Sequence, residues 1–461
     1  MSIDFINTGF ISNVNVLNHK IAIIDENGFE KSYADMARDI DVNSNKMPSG
    51  RPLVFLKIGN DYDGVIDYLT CLKLRIPFLI LDRGLEDTLL SGLVDKYHPN
   101  YLIDKGEVIE LSKFEHTVHD DLAILLSTSG STGTPKLVRL SHRNINSNTK
   151  SIVEYLGLTN TDVAITSMPM SYSYGLSILN THLLANATVI LNDDPVISRS
   201  FWDKVNNYNV TSISGVPFTF QMLKRIKFDT YELPSLRYLT QAGGKLDKPT
   251  LDYLYSCTSN KKQQLFIMYG QTEASPRISY IEYDNTVKNG CIGTSVPGGK
   301  LEVRDVNSGK TLAANCEGEI VYSGPNVMLG YAENPLDLNL GDVQLGILHT
   351  GDIGHFDNEG LFYVTGRTKR FIKLFGTRIN LDAIDSWLLN NGYFGSSLGD
   401  DDRLIVVLES DAQLDKDILS EISNFFKINR NFIRVKFVNE IPRKISGKID
   451  FTALKLIVDE M

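Results

Sequence analysis

The chain has 461 residues, 42% of them apolar and 22% charged, with 46 basic against 56 acidic side chains and a formal net charge of −10. That length holds two or three domains around a large core, and an acidic chain without a basic run argues against nucleic acid as a main partner. No apolar stretch reaches the roughly 18 residues of a membrane span, and the first seven residues, with Asp4 among them, lack the basic-then-apolar order of a secretory leader.

Short apolar runs alternate with helical patterns along the first half. Residues 51–58 read as a strand, and 61–74 place Val65, Ile66, Tyr68, Leu69 and Leu72 at helical spacing. A strand over 77–81, a helix over 86–96 and a buried strand over 122–126 follow, and 188–191 and 212–214 continue the series. Strands alternating with helices predict βαβ units and a largely parallel sheet, an α/β fold. From about Gly290 the texture changes: Gly293, Pro297, Gly298 and Gly299 precede strand-like runs at 301–303 and 318–322. This predicts a small β-rich subdomain over 290–365, within a large N-terminal domain over 1–367. Residues 368–461 then have the size and mixed texture of a small α+β C-terminal domain. Cys71, Cys257, Cys291 and Cys316 lie far apart with no CxxC pair. Neither a zinc site nor a disulfide framework is indicated, and reduced thiols in a cytoplasmic location are expected.

The run Ser127-Thr128-Ser129-Gly130-Ser131-Thr132-Gly133-Thr134-Pro135-Lys136 directly follows the buried strand at 122–126. Its glycines let backbone N–H groups converge on a ligand, its hydroxyls add donors, and Lys136 adds a positive charge. Together they suit a polyphosphate. A Walker A loop is rejected by spacing. Two residues, not four, separate Gly130 from Gly133, and Lys136 precedes Leu137 rather than a hydroxyl residue.

Five further segments occur downstream: Pro169-Met170-Ser171-Tyr172-Ser173-Tyr174-Gly175-Leu176, Tyr269-Gly270-Gln271-Thr272-Glu273, Thr350-Gly351-Asp352, Gly366-Arg367-Thr368-Lys369, and Pro442-Arg443-Lys444-Ile445-Ser446-Gly447-Lys448-Ile449-Asp450. With the Ser127–Lys136 loop they resemble, in order and over nearly the whole chain, the adenylate-forming superfamily. That superfamily includes acyl-CoA synthetases, aryl-acid ligases, luciferases and the adenylation domains of nonribosomal peptide synthetases. The resemblance implies layered α/β sheets in the N-terminal domain and a mobile C-terminal lid. It also implies ATP-dependent activation of a carboxylic acid to an acyl-adenylate with release of pyrophosphate, then acyl transfer to a thiol.

Such chemistry brings two anions together, so cations and N–H dipoles must surround the phosphates. Ser127, Thr128, Ser129, Gly130, Ser131, Thr132, Gly133 and Lys136 would hold the β and γ phosphates. By resemblance, Thr272 contacts the α-phosphate, Glu273 holds Mg²⁺ and Asp352 accepts from the ribose hydroxyls. Tyr269 offers a face for adenine, with Gly270 and Gln271 in the same motif. Gly243 and Gly244 let backbone approach the ring and the acyl group, and Arg367 would reach ribose or phosphate. Lys448 is the expected main catalytic cation, bridging the carboxylate and the α-phosphate. Lys369 aligns with the hinge, and Lys373 and Gly376 adjoin it.

The acid is expected to lack an α-amine. Amino-acid-activating relatives carry an aspartate where this chain has Ser173, and a buried ammonium without a carboxylate is costly. Tyr172, Ser173, Tyr174, Val216, Ala242 and Met268 are the expected pocket, with Pro217 and Phe218 beside Val216; the tyrosine hydroxyls suit a polar acid or else serve as wall. For the acceptor, coenzyme A is the superfamily's commonest thiol. However, residues 390–400 lack the usual valine- and alanine-rich strand and following Gly-Glu, which leaves the phosphopantetheine arm of an acyl carrier protein, or an amine, open. Amino-acid adenylation and a catalytically dead nucleotide-binding protein are competing readings. A dead site would lack Lys448, Glu273 or Asp352, and all three are present. A hydrolase or kinase would need a motif set that the chain does not carry.

Overall fold

The structure, a computed structural model, describes residues 9–127, 136–367, 370–374, 377–399, 403–409, 418–444 and 447–460. Two large sheets carry the first 367 residues. In one, Gln264–Gly270, Tyr238–Gln241, Ser212–Gly215, Val163–Ile165, Thr188–Ile190 and Ile21–Ile24 run parallel in that spatial order. In the other, Tyr101–Asp104, Val54–Ile58, Phe78–Asp82 and Leu122–Ser127 run parallel, and antiparallel strands close its edges.

The second sheet is buried on both faces, which explains why its strands read as unbroken apolar runs. Val54, Leu56, Ile58, Phe78 and Ile80 point into one core, while Leu53, Phe55, Leu79 and Leu81 point into another. The first of these cores also takes Ile23 and Val189 from the other sheet, and residues of the helices Tyr33–Ser44, Tyr62–Lys73 and Ser173–Leu184. Helices are therefore sandwiched between two sheets. Two of them begin at side-chain caps: Asp61 accepts from the Gly64 N–H at 2.8 Å, and Ser32 forms a capping box with Asp35.

Two further pairings complete these sheets. The strands Cys291–Ser295, Lys300–Arg304, Gly318–Ser323, Ile347–Phe356 and Phe362–Arg367 do not form a sheet of their own. They continue the larger sheet, because Ser279 and Tyr280 of the strand Arg277–Glu282 pair with Ser295 and Thr294. And Leu122–Ser127 is followed by Leu137–Ser141 running antiparallel beside it, so the Ser127–Lys136 segment joins two neighbouring strands. Leu137–Ser141 in turn pairs with Gly330–Ala332.

Beyond Arg367 the strands Gly395–Gly399, Leu404–Glu409 and Ile433–Val438 form a separate three-stranded sheet with apolar cores on both faces. The segment that departs from the expected valine-alanine pattern supplies its edge strand. Its serines have a physical reason. Ser396 Oγ donates to Asp385 at 3.0 Å, Ser397 Oγ donates to the same carboxylate at 2.6 Å, and Arg370 pairs with it at 2.9 Å. Burial pushes the pKa of this carboxyl up, so the charged form needs such partners, and valine or alanine would supply none. No helix among the described residues is long and apolar enough to cross a membrane.

Candidate active site

The strand Gln264–Gly270 ends at the edge of the parallel region and turns through Thr272–Ala274 into Arg277–Glu282. The turn is tight. A Cβ on Gly270 would stand 1.8 Å from the Pro276 carbonyl oxygen, so only glycine fits. It delivers Tyr269, Gln271, Thr272 and Glu273 to one place.

Asp352 meets them from the neighbouring part of the sheet. Asp352 and Arg367 are cross-strand partners, and Arg367 Nε donates to Asp352 Oδ1 at 3.1 Å. The Tyr269 hydroxyl donates to Asp352 Oδ2 in a short contact, and Gln271 Nε2 donates to the same oxygen at 3.2 Å and to the Thr350 carbonyl at 2.8 Å. Asp352 is 4% exposed. Three donors thus occupy a carboxylate with about four acceptor sites. Burial, reinforced by the Asp352 charge, holds the Tyr269 phenol protonated by raising its pKa well above the ordinary tyrosine value.

The Glu273 Oε1 accepts from the Tyr331 hydroxyl at 2.8 Å, and its backbone carbonyl accepts from the Met328 N–H at 2.9 Å. Lys136, the first residue described after the loop, pairs with Glu333 and stands with its Nζ 5.7 Å from the centre of the Tyr331 ring. The cation expected to reach phosphate is therefore held by a carboxylate beside the tyrosine that holds Glu273. Thr128, Ser129, Gly130, Ser131, Thr132 and Gly133 lie outside the described residues, as do Lys369 and Gly376; Ser127 ends its strand exposed to solvent.

Lys448 enters from the C-terminal region. The segment around it is a tight turn in which Arg443 and Ile449 form an antiparallel bridge and Gly447 N–H donates to the Lys444 carbonyl at 2.8 Å. Gly447 has φ +75°, and a Cβ there would stand 2.7 Å from Val216 Cγ2, so a glycine lets the turn lie against the Val216 wall. The Arg443 guanidinium carbon stands 5.2 Å from the centre of the Phe218 ring. Lys448 Nζ then stands 6.0 Å from the centre of the Tyr172 ring. Burial of the ammonium, and next the Arg367 guanidinium, lower its pKa from the ordinary lysine value; Glu273 and Asp352 pull it back up.

The acyl side is an apolar cluster. Tyr174, Val216, Ala242 and Met268 are buried in it, and Tyr172 packs against it half-buried. Ser173 Oγ lies 3.4 Å from Thr272 Oγ1, which joins this wall to the Tyr269–Glu273 turn. Gly243 fits between Val216 and the Tyr172 hydroxyl, and Gly244 lies beside Pro217. Of the two readings of the tyrosines, Tyr174 fits the wall: it is 2% exposed, and its hydroxyl donates to the Thr240 carbonyl at 2.8 Å.

Sequence reasoning misses two residues. Tyr331 sits in an unremarkable Gly-Tyr-Ala triplet and reaches Glu273 only because its strand joins the second sheet. Arg277, four residues beyond Glu273, is brought opposite Gly270 by the antiparallel return. The Pro276-Arg277 step after the motif is its one visible signal.

A family profile described as AMP-binding enzyme matches residues 73–332. The chain is 27% identical to luciferin 4-monooxygenase of Luciola mingrelica, over 73% of this chain and 64% of that protein. It is 29% identical to 4-coumarate-CoA ligase 1 of Narcissus pseudonarcissus, over 75% of this chain and 66% of that protein. It is 30% identical to 2-succinylbenzoate–CoA ligase of Bacillus cereus, over 77% of this chain and 75% of that protein. The match thus spans a little under two thirds of the length of the first two of these relatives. Among solved structures, O-succinylbenzoate coenzyme A synthetase (MenE) of Bacillus subtilis, in complex with ATP and magnesium ion, superposes with a TM-score of 0.81 at 23% identity, covering 97% of this chain and 99% of that one. ATP-bound MatB of Rhodopseudomonas palustris does so with a TM-score of 0.81 at 20% identity, covering 98% and 99%. At these identities the likeness is one of fold.

Proposed function

The chain belongs to the family of AMP-binding enzymes, and on that premise we propose that it activates a carboxylic acid with ATP and passes the acyl group to a thiol. Attack of the acid's carboxylate oxygen on the α-phosphorus forms the acyl–phosphate bond of an acyl-adenylate and breaks the bond to pyrophosphate. Coenzyme A is the acceptor we favour, because several matched relatives are named as CoA ligases. The acid lacks an α-amine, since Ser173 and its neighbour Thr272 present hydroxyls rather than a carboxylate at that place.

The observation that carries this reading is the approach of Lys448, from the C-terminal region, to Tyr172 at the start of a helix, Glu273 in a turn, and Asp352 and Arg367 on neighbouring strands. In this arrangement Lys448 neutralises charge between carboxylate and phosphate, Asp352 with Gln271 and Tyr269 orients a ribose diol, and Thr272 donates to the α-phosphate. Glu273 fits Mg²⁺ in the manner usual for nucleotide sites, in which one protein carboxylate shares the ion with phosphate oxygens and water. The test is acid-dependent release of pyrophosphate from ATP. Lys448→Ala is expected to slow it by on the order of 10²–10³ with the fold intact. Release of ADP and phosphate without any acid would overturn the reading.

A further inference from the structure

Arg277 is a buried cation that the reaction just described does not use. It is 3% exposed, and its backbone is pinned: its N–H donates to Asn148 Oδ1 at 3.1 Å, and its carbonyl accepts from Asn148 Nδ2 at 2.9 Å and Asn326 Nδ2 at 2.8 Å. The guanidinium carbon stands 4.0 Å from the centre of the Tyr174 ring, and the Tyr155 hydroxyl is within its hydrogen-bond reach. Its Nε is buried with no hydrogen-bond partner, and among the described residues no carboxylate forms an ion pair with it.

A guanidinium in apolar surroundings is costly without a counter-charge. The Tyr174 face offsets part of that cost, but an aromatic ring carries no net charge and leaves Nε unsatisfied. The missing component is an anion, and three spans link Arg277 to Lys448. Lys448 Nζ is 6.0 Å from the Tyr172 ring, the Tyr172 and Tyr174 rings are 6.4 Å apart, and Arg277 lies 4.0 Å from the Tyr174 ring. Lys448 and Arg277 thus each stand against one of two neighbouring tyrosines, with Val216, Ala242 and Met268 in the same apolar cluster.

We propose that Arg277 is a specificity-determining residue that pairs with a second carboxylate of the acyl substrate, so that the substrate is a short dicarboxylic acid. One carboxylate meets Lys448 and reacts; the other meets the guanidinium fork, whose planar geometry matches a carboxylate; the carbon chain between them lies on the tyrosine wall. This rests on the acid-activating reading above and adds the class of acid.

The experiment compares acid-dependent pyrophosphate release for short unbranched dicarboxylic acids, their half-amides and the monocarboxylic acids of equal length. It uses the full chain, its Arg277→Met and Arg277→Lys variants, and circular dichroism to check folding. In the wild type, kcat/KM for the best diacid is expected to exceed that for its half-amide by roughly 100-fold or more, because a site built around a charged partner rejects the analogue lacking it. Arg277→Met should bring the ratio within about tenfold, and Arg277→Lys should keep part of it. An arginine that only supports the fold would lower all acids alike and leave the ratio unchanged, which would overturn the proposal. A wild type that uses a monoacid or half-amide as well as any diacid overturns it too, while leaving acid activation standing, and it needs no variant. No pyrophosphate release with any acid would overturn the acid-activating reading and this proposal together.

Discussion

In the proposed reaction Lys448 stands where its charge is both needed and expensive. The ammonium is withdrawn from water with Arg367 nearby, and Glu273 and Asp352 only partly offset this, so its pKa lies below the ordinary lysine value of 10.5. The sign follows for both activity and stability. Folding favours the neutral amine, so this residue's penalty on stability is present below the lowered pKa and is relieved as pH rises from there toward 10.5. Catalysis needs the charged form, so the rate of pyrophosphate release should fall over the same interval. The alkaline limb of the pH–rate profile is therefore expected below the range in which an exposed lysine titrates. Lys448→Arg, which stays charged, should move that limb upward, although at a reduced rate because a fork does not replace a point charge. A limb that stays in place in Lys448→Arg would belong to another group.

At the scale of elements, the site depends on two antiparallel registers. One sets Asp352 opposite Arg367, and the other sets Gly270 opposite Arg277. The second tolerates no side chain at Gly270, where the Pro276 carbonyl oxygen comes within 1.8 Å of a Cβ position. Gly270→Ala must therefore push the two strands apart. We expect it to cost about 3 kcal/mol or more in unfolding free energy, measured by urea denaturation, and to abolish ATP binding. A variant of wild-type stability that still binds ATP would show that the turn relaxes without disturbing Thr272 and Glu273.

At the scale of the whole molecule, Lys448, the proposed catalytic cation, belongs to a region with its own sheet and its own cores. Its turn meets the N-terminal region at Val216 and Phe218. A contact of that kind is one that a small domain can leave. If the C-terminal region serves both half-reactions by moving between them, Lys448 matters only in the first. Lys448→Ala should then impair acyl-adenylate formation far more than thiol acylation from a supplied acyl-adenylate, measured separately in single-turnover assays. Equal loss in both would show that one arrangement serves both steps.

The motifs are legible in the sequence because each is local: a turn that needs glycine, a strand that needs an apolar run, a hydroxyl-rich loop after a buried strand. The alternation of strands and helices is legible for the same reason, since side-chain periodicity reports which faces are buried. What no local pattern carries is pairing between distant segments. The join between the strands after Gly290 and the large sheet, the hold of Glu333 on Lys136, and the Tyr331 hydroxyl on Glu273 all depend on which strand lies beside which. Ser396 and Ser397 look like a defect in an expected apolar strand until Asp385 and Arg370 are seen beside them. Arg277 is the plainest case. In the sequence it is one of many arginines; only the tertiary structure buries it, with no carboxylate paired to it among the described residues, and that burial is what ties its charge to the proposed substrate.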